Sequence, residues 1–282
     1  MNKWILGSRP RTLVAAVAPV VVGSALAGND FNWFRASLAL QVGVWLQIGV
    51  NFANDYSDGI KGTDTDRIGP TRLVASGLAS ANSVKLAAYF SFLIASIAGL
   101  WLSLLTSAIL IPVGLLAIAA AWGYTGGKNP YGYQGFGELS VFLFFGLVAT
   151  VGSYYVQTEM ITLLSFVVAI PMGALACAIL MVNNIRDRTK DEVVGKHTLA
   201  VRLGDTKARL AFVVLLLIAH IAALATLIPV ALLTLLAAPI TYAISKVVLS
   251  GVSGKELIPV LGRTGQLQLI FASLLALALA IH

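Results

Sequence analysis

Nine apolar stretches, at residues 12–28, 36–56, 85–104, 107–124, 139–157, 161–186, 209–226, 228–247 and 265–281, leave this chain little choice of architecture. Each is close to the roughly 20 residues that a helix needs to cross a bilayer. In hydrocarbon every backbone polar group has to find its partner within the protein, which restricts spanning segments to helices and closed barrels. Runs of this length predict an all-α integral membrane protein: nine transmembrane helices in a bundle, one domain over residues 1–282. Composition agrees, with 58% hydrophobic residues, 11% charged residues and a mean hydropathy of +0.88. Those values exclude an ordinary soluble domain. The single cysteine, Cys177, excludes a disulfide framework and a cysteine metal cluster.

A net charge of +7 could suggest a nucleic-acid partner, but the placement of the charges argues against one. Of the 19 Lys and Arg residues, only Arg35 falls on the opposite side of the predicted bundle from the rest. That asymmetry is a topology signal, and the positive-inside rule makes the basic face cytoplasmic. It implies a multi-pass protein of the cytoplasmic (inner) membrane, with the amino terminus inside and His282 outside. The first span, with Lys3 before it and Ala25-Leu26-Ala27 at its end, has features of a cleavable signal peptide. Trp4, Ile5, Leu6 and Arg9-Pro10-Arg11 make an awkward start for one.

Two spans end in polar groups that lipid-facing helices avoid. Asn51, Asp55 and Asp58 stand at i, i+4 and i+7 at the end of the second span and share a helical face. Asn183, Asp187 and Asp191 stand at i, i+4 and i+8 at the end of the sixth, forming one stripe if the helix continues that far. Carboxylates at the end of a membrane helix are expensive and default to a functional reading. The recurring Asn-x-x-x-Asp also suggests a pseudo-repeat of two helical quartets plus one helix, facing both stripes into a shared cavity. Hard oxygen ligands suit Mg2+, which shares carboxylates with substrate phosphates. The neighbouring cations Arg67, Arg72, Lys128, Arg186, Arg188 and Lys190 are what a bound diphosphate would need. Asp64, Asp66, Asp205 and Glu256 read equally well as ordinary loop charges.

The segment at residues 122–138, WGYTGGKNPYGYQGFGE, has no phosphate-loop spacing, and a plain turn explains its glycines. Tyr124 and Lys128, at the helix exit, are its better functional candidates. Glu138 reads as a helix cap, where the dipole favours a carboxylate. No pair among His197, His220 and His282 has zinc-ligand spacing.

At these residues the chain resembles the UbiA-type intramembrane aromatic prenyltransferases over nearly its whole length. The resemblance rests on Asn54-Asp55-Tyr56-Ser57-Asp58, on Asp187-x-x-x-Asp191 and on Tyr124-x-x-x-Lys128. It implies that Asn51, Asp55, Asp58, Asn183, Asp187 and Asp191 hold Mg2+ and an allylic polyprenyl diphosphate, with Arg67, Arg72, Tyr124, Lys128, Arg186 and Lys190 against the diphosphate. Asp55, Asp58, Asp187, Asp191 and Lys128 would then stand at the reacting end. Ser8-Arg9-Pro10-Arg11-Thr12-Leu13 and NDYSDGIKGTDTDRIGPTR resemble the branch that takes 1,4-dihydroxy-2-naphthoate in menaquinone biosynthesis. On that likeness, Arg11 and Asn54 would meet the acceptor. Many members carry a further Asp four residues after the second Asp of the first motif. Gly62 stands there in this chain, so Asp64, ahead of Asp66, is the expected substitute. The same motifs occur with other acceptors (4-hydroxybenzoate, haem, a chlorophyllide), and an ion-coupled transporter also places carboxylates in membrane helices.

Overall fold

The computed structural model describes residues 2–63, 69 and 71–282 of the chain. It is all-helical: α1 (Lys3–Ser8), α2 (Val14–Ala25), α3 (Trp33–Lys61), α4 (Ala81–Leu105), α5 (Leu110–Gly123), α6 (Gly137–Thr158), α7 (Leu163–Val193), α8 (Leu199–Leu224), α9 (Pro229–Leu249) and α10 (Gly254–Ala280). Among the described residues, α3, α4 and α6 to α10 are the seven helices long and apolar enough to cross a membrane, or up to eight if α1 and α2 form one span across their 50° bend. Two of the nine expected spans form shorter helices than expected. Helix α2 has 12 residues and α5 has 14. At 1.5 Å per residue both are shorter than a hydrocarbon core of about 30 Å.

The opposite correction applies where the polar stripes lie. The second span was expected to close at residue 56 and the sixth at residue 186, yet α3 runs on to Lys61 and α7 to Val193. Helix α8 begins at Leu199 rather than 209, with a break at Gly204, whose φ of 74° and ψ of 170° are open to glycine. The ends carry standard signals. Asn32 caps α3 through the amides of Phe34 and Arg35, and Gly62, at φ 69°, stops it in the left-handed region. Thr162 and Ser165 form a capping box that starts α7.

Helix α7 is the axis of the bundle. Of its most apolar window, 67% is buried, against 33% for α4, which shows much of its surface to lipid. Its residues Met172, Leu175 and Met181 join Phe212, Leu216, Phe271 and Leu275 of α8 and α10 in the main core. A second cluster, Phe52, Leu73, Val84 and Phe92, fastens α3 to α4 and to the loop after α3. Small residues set the closest approach, as is usual when lipid supplies no hydrophobic drive between helices. A Cβ added at Gly146 of α6 would stand 2.6 Å from the Cα of Gly173 on α7. Backbone cannot swing aside as a side chain can. Gly146→Ala is expected to lower stability by about 1–3 kcal/mol, the usual cost of overpacking, read as a lower thermal unfolding midpoint in detergent.

Candidate active site

The helices enclose a cavity of about 770 Å³, lined by residues of α2 to α7. Its wall is largely apolar, with Val42, Leu46, Ala95, Leu102, Ile118 and Phe144. Towards the ends of α3 and α7 the lining turns polar. Helix α3 presents Gln47, Asn51, Asn54 and Asp58, and α7 presents Asn183, Asn184, Asp187, Lys190 and Asp191. The two stripes found in sequence therefore share one cavity. Because α7 stays helical to Val193, Asp187 and Asp191 keep the same face.

One expected member of the first stripe faces elsewhere. Asp55 is fully buried and does not line the cavity. Its Oδ2 accepts from the backbone N–H of Leu73 at 2.8 Å and its Oδ1 from that of Val74 at 3.0 Å. Asn54, one residue round the helix, takes the cavity position and accepts from the Thr125 hydroxyl at 2.8 Å. Asp55 thus ties the loop after α3 to the helix, with both of its oxygens taken by backbone amides. Asp55→Ala would leave two buried N–H groups without their acceptor, at about 1–3 kcal/mol each. The expected result is a lower unfolding midpoint, with the magnesium concentration for half-maximal activity of the folded fraction unchanged.

Asp58 is surrounded by donors. Its Oδ2 lies 3.2 Å from Nη2 of Arg72, its Oδ1 lies 3.3 Å from Nζ of Lys196, and the Tyr133 hydroxyl donates to Oδ1. The Tyr133 ring has Lys196 Nζ at 4.7 Å and Lys61 Nζ at 4.9 Å from its centroid, and Lys61 also donates to the Thr125 carbonyl at 2.7 Å. Opposite, Arg186 holds Asp187 with a two-pronged clamp: Nε to Oδ1 at 2.8 Å and Nη2 to Oδ2 at 2.6 Å. Gly69 packs on this guanidinium, where an added Cβ would sit 3.1 Å from Nη2. Arg188 turns away and pairs with Asp205 at 3.7 Å.

The amino-terminal segment closes one side. Asn51 Nδ2 donates to the Ser8 carbonyl at 2.9 Å and to the Thr12 hydroxyl at 3.0 Å, and Gln47 donates to Thr12 at 3.2 Å. Arg9, at φ 52°, lines the cavity, whereas Arg11 is exposed outside it. On the far side, Tyr124 lines the cavity edge-on to Tyr131, and Lys128 is exposed and does not line it. Burial pushes the Tyr131 phenol above its ordinary range, against the smaller effect of its hydrogen bond with Ser140. Asp64, Asp66 and Arg67 lie outside the described residues.

Residues 16–256 match the UbiA prenyltransferase family. The chain belongs to this family. It is 48% identical, over 99% of its length and 97% of the relative's, to a protein of Mycobacterium tuberculosis named 1,4-dihydroxy-2-naphthoate octaprenyltransferase. A Haemophilus influenzae protein of the same name is 37% identical, over 100% of this chain and 96% of its own. Among solved structures, a UbiA homolog from Archaeoglobus fulgidus bound to DMAPP and Mg2+ superposes with a TM-score of 0.68, covering 99% of both chains. At 15% identity that likeness concerns the fold alone.

The donor set suits the Mg2+ that UbiA prenyltransferases use. No three His, Cys, Asp or Glu side chains converge into a ready cage among the described residues. Mg2+ seldom needs one, since it keeps waters and binds through one or two carboxylates plus substrate phosphate. Asp58, Asp187 and Asp191, with Asn183, supply hard oxygens from two walls of one cavity. Sequence reasoning missed Arg9, Tyr133 and Lys196. None of the three was singled out as a site residue from the sequence. The repeated Tyr-Gly-Tyr at 131–133 was the available signal for Tyr133.

Proposed function

We propose that this UbiA-family enzyme transfers a polyprenyl group from an allylic polyprenyl diphosphate to 1,4-dihydroxy-2-naphthoate, yielding the demethylmenaquinol of menaquinone biosynthesis. The observation that carries the reading is the pairing of Asp58 and Asp187, from helices far apart in sequence, at one polar end of a single apolar cavity. The names of the full-length relatives point to the acceptor and to an eight-isoprene donor.

In this reading Asp58, Asp187, Asp191 and Asn183 would hold Mg2+, which supplies charge that favours departure of diphosphate. Arg72, Lys190 and Lys196 neutralise the phosphate oxygens, with Tyr124 a neutral donor beside them. Arg67 belongs to the same proposed set, with Asp64 as an added ligand. Arg186 acts through Asp187, and Lys128 would have to approach from its exposed loop. The apolar wall excludes water, so the allylic carbon meets the electron-rich ring rather than a hydroxyl. The C–O bond to diphosphate breaks, a C–C bond forms at the carboxyl-bearing ring carbon, and the carboxyl group leaves as carbon dioxide. Arg9, in place of Arg11, is the cavity cation for the acceptor carboxylate, with Asn54 nearby.

We place the site on the cytoplasmic side of the inner membrane, with the amino terminus inside, nine crossings and two related quartets. Arg35 supports this topology. It bonds the Leu105, Val156 and Gln157 carbonyls and pairs with Glu159 at 3.4 Å, at the end of α3 away from Asp58. The test supplies purified protein with Mg2+, polyprenyl diphosphate and dihydroxynaphthoate, and follows diphosphate and carbon dioxide. A folded preparation that releases neither, or one that turns over 4-hydroxybenzoate in preference, would overturn the assignment.

A further inference from the structure

Glu138 is buried in the first turn of α6, and the proposed mechanism has no use for it. Its Oε1 accepts from Nδ2 of Asn184 at 3.0 Å, and its Oε2 has no hydrogen-bond partner among the described residues. Next to it, an added Cβ at Gly137 would lie 3.1 Å from the Tyr124 hydroxyl. The amide of Asn184 stands with its NH2 on Glu138. Asn184 lines the cavity, so its carbonyl oxygen is the end presented there.

We infer that Glu138 and Asn184 form a positioning pair for the aromatic acceptor, in which the Asn184 carbonyl accepts from a ring hydroxyl of the substrate. The pair sits between the polar end, with Asp187 one turn further along α7, and the apolar wall at Ala176, Ile179 and Leu180. An aromatic ring whose hydroxyl is held there has its carbon framework on the apolar side. Accepting from that hydroxyl also leaves more electron density in the ring that attacks the allylic carbon. A site built to hydrogen-bond a hydroxyl rejects the analogue that lacks it, because its polar group is then left without a partner. The inference rests on the naphthoate reading.

The test compares wild type, Asn184→Ala and Glu138→Gln on dihydroxynaphthoate and on its mono-methyl ethers at each hydroxyl, with polyprenyl diphosphate in excess. Asn184→Ala is expected to lower kcat/KM for the free hydroxyl by about tenfold to a hundredfold, the range for a buried hydrogen bond. It should leave the corresponding ether nearly unaffected and the KM for polyprenyl diphosphate unchanged. Glu138→Gln frees the amide to present either end, so it should give a smaller loss in the same direction. Equal losses on hydroxyl and ether, or a raised KM for the diphosphate in either variant, would mark the pair as structural and overturn the inference alone. A wild type inactive on dihydroxynaphthoate would overturn the functional reading, and the inference with it.

Discussion

Asp58→Ala is expected to cut kcat by about a hundredfold to a thousandfold, the usual loss when one group that stabilises developing charge is removed. Asp58 is the cavity carboxylate on which Arg72, Lys196 and Tyr133 converge. Its charge keeps those donors gathered at the polar end and gives a magnesium–diphosphate complex its anchor on α3. Removing it also leaves the buried Arg72 without that carboxylate, which lowers stability. Asp58→Asn separates the two effects, because the amide keeps the shape and one acceptor but loses the charge. Single-turnover release of diphosphate, normalised to folded protein, should fall nearly as far in Asp58→Asn as in Asp58→Ala. Full activity in Asp58→Asn would remove Asp58 from the reacting end.

The bundle was readable in the sequence because lipid enforces one rule, a run of apolar residues for every crossing. The rule fails where its premise does. Residues 57–61 and 187–193 are too polar to count as membrane spans, yet they remain helical because packing within the protein holds them. Asp58 and Asp187 are buried there, as core leucines are. Helices α2 and α5 fail in the other direction. Each was measured by its apolar residues, but the 3-10 turn at Pro10–Thr12, the turn at residues 26–27 and the turn at residues 107–109 shorten the helical part.

At the site, spacing located the helix face but not the residue. Positions 51, 54, 55 and 58 all fall within one broad stripe, and helix geometry alone does not choose between 54 and 55. The choice is made by the amides of Leu73 and Val74, which need an acceptor and find Asp55. That demand arises 18 residues later in the chain and has no local trace. Arg9 and Arg11 differ in the same way, since only the backbone turn at Arg9 decides which guanidinium enters the cavity. Lys128 had a motif to recommend it. Lys196 had none, and reaches Asp58 only because the loop after α7 folds back, its amide bonded to the Asp191 carbonyl at 2.7 Å.

The Arg186–Asp187 clamp allows stability and chemistry to be separated. Arg186 is buried, with its Nη1 without a hydrogen-bond partner among the described residues, so among them Asp187 is the main compensation for a desolvated charge. Breaking such a pair from one side typically costs about 3–5 kcal/mol, whereas replacing both partners with apolar groups of similar volume is often neutral. Asp187→Ala should therefore lose both its thermal unfolding midpoint and its turnover. Arg186→Met with Asp187→Leu should recover the midpoint and stay inactive, because the apolar pair packs but offers the diphosphate complex no oxygen. Both are read on one detergent-purified sample, by thermal unfolding and by diphosphate release. If the double variant regains turnover along with stability, Asp187 serves only to neutralise Arg186. If it regains neither, the clamp fixes the end of α7 by its geometry, and the recurrence of Asn-x-x-x-Asp on α3 and α7 is no guide to the chemistry.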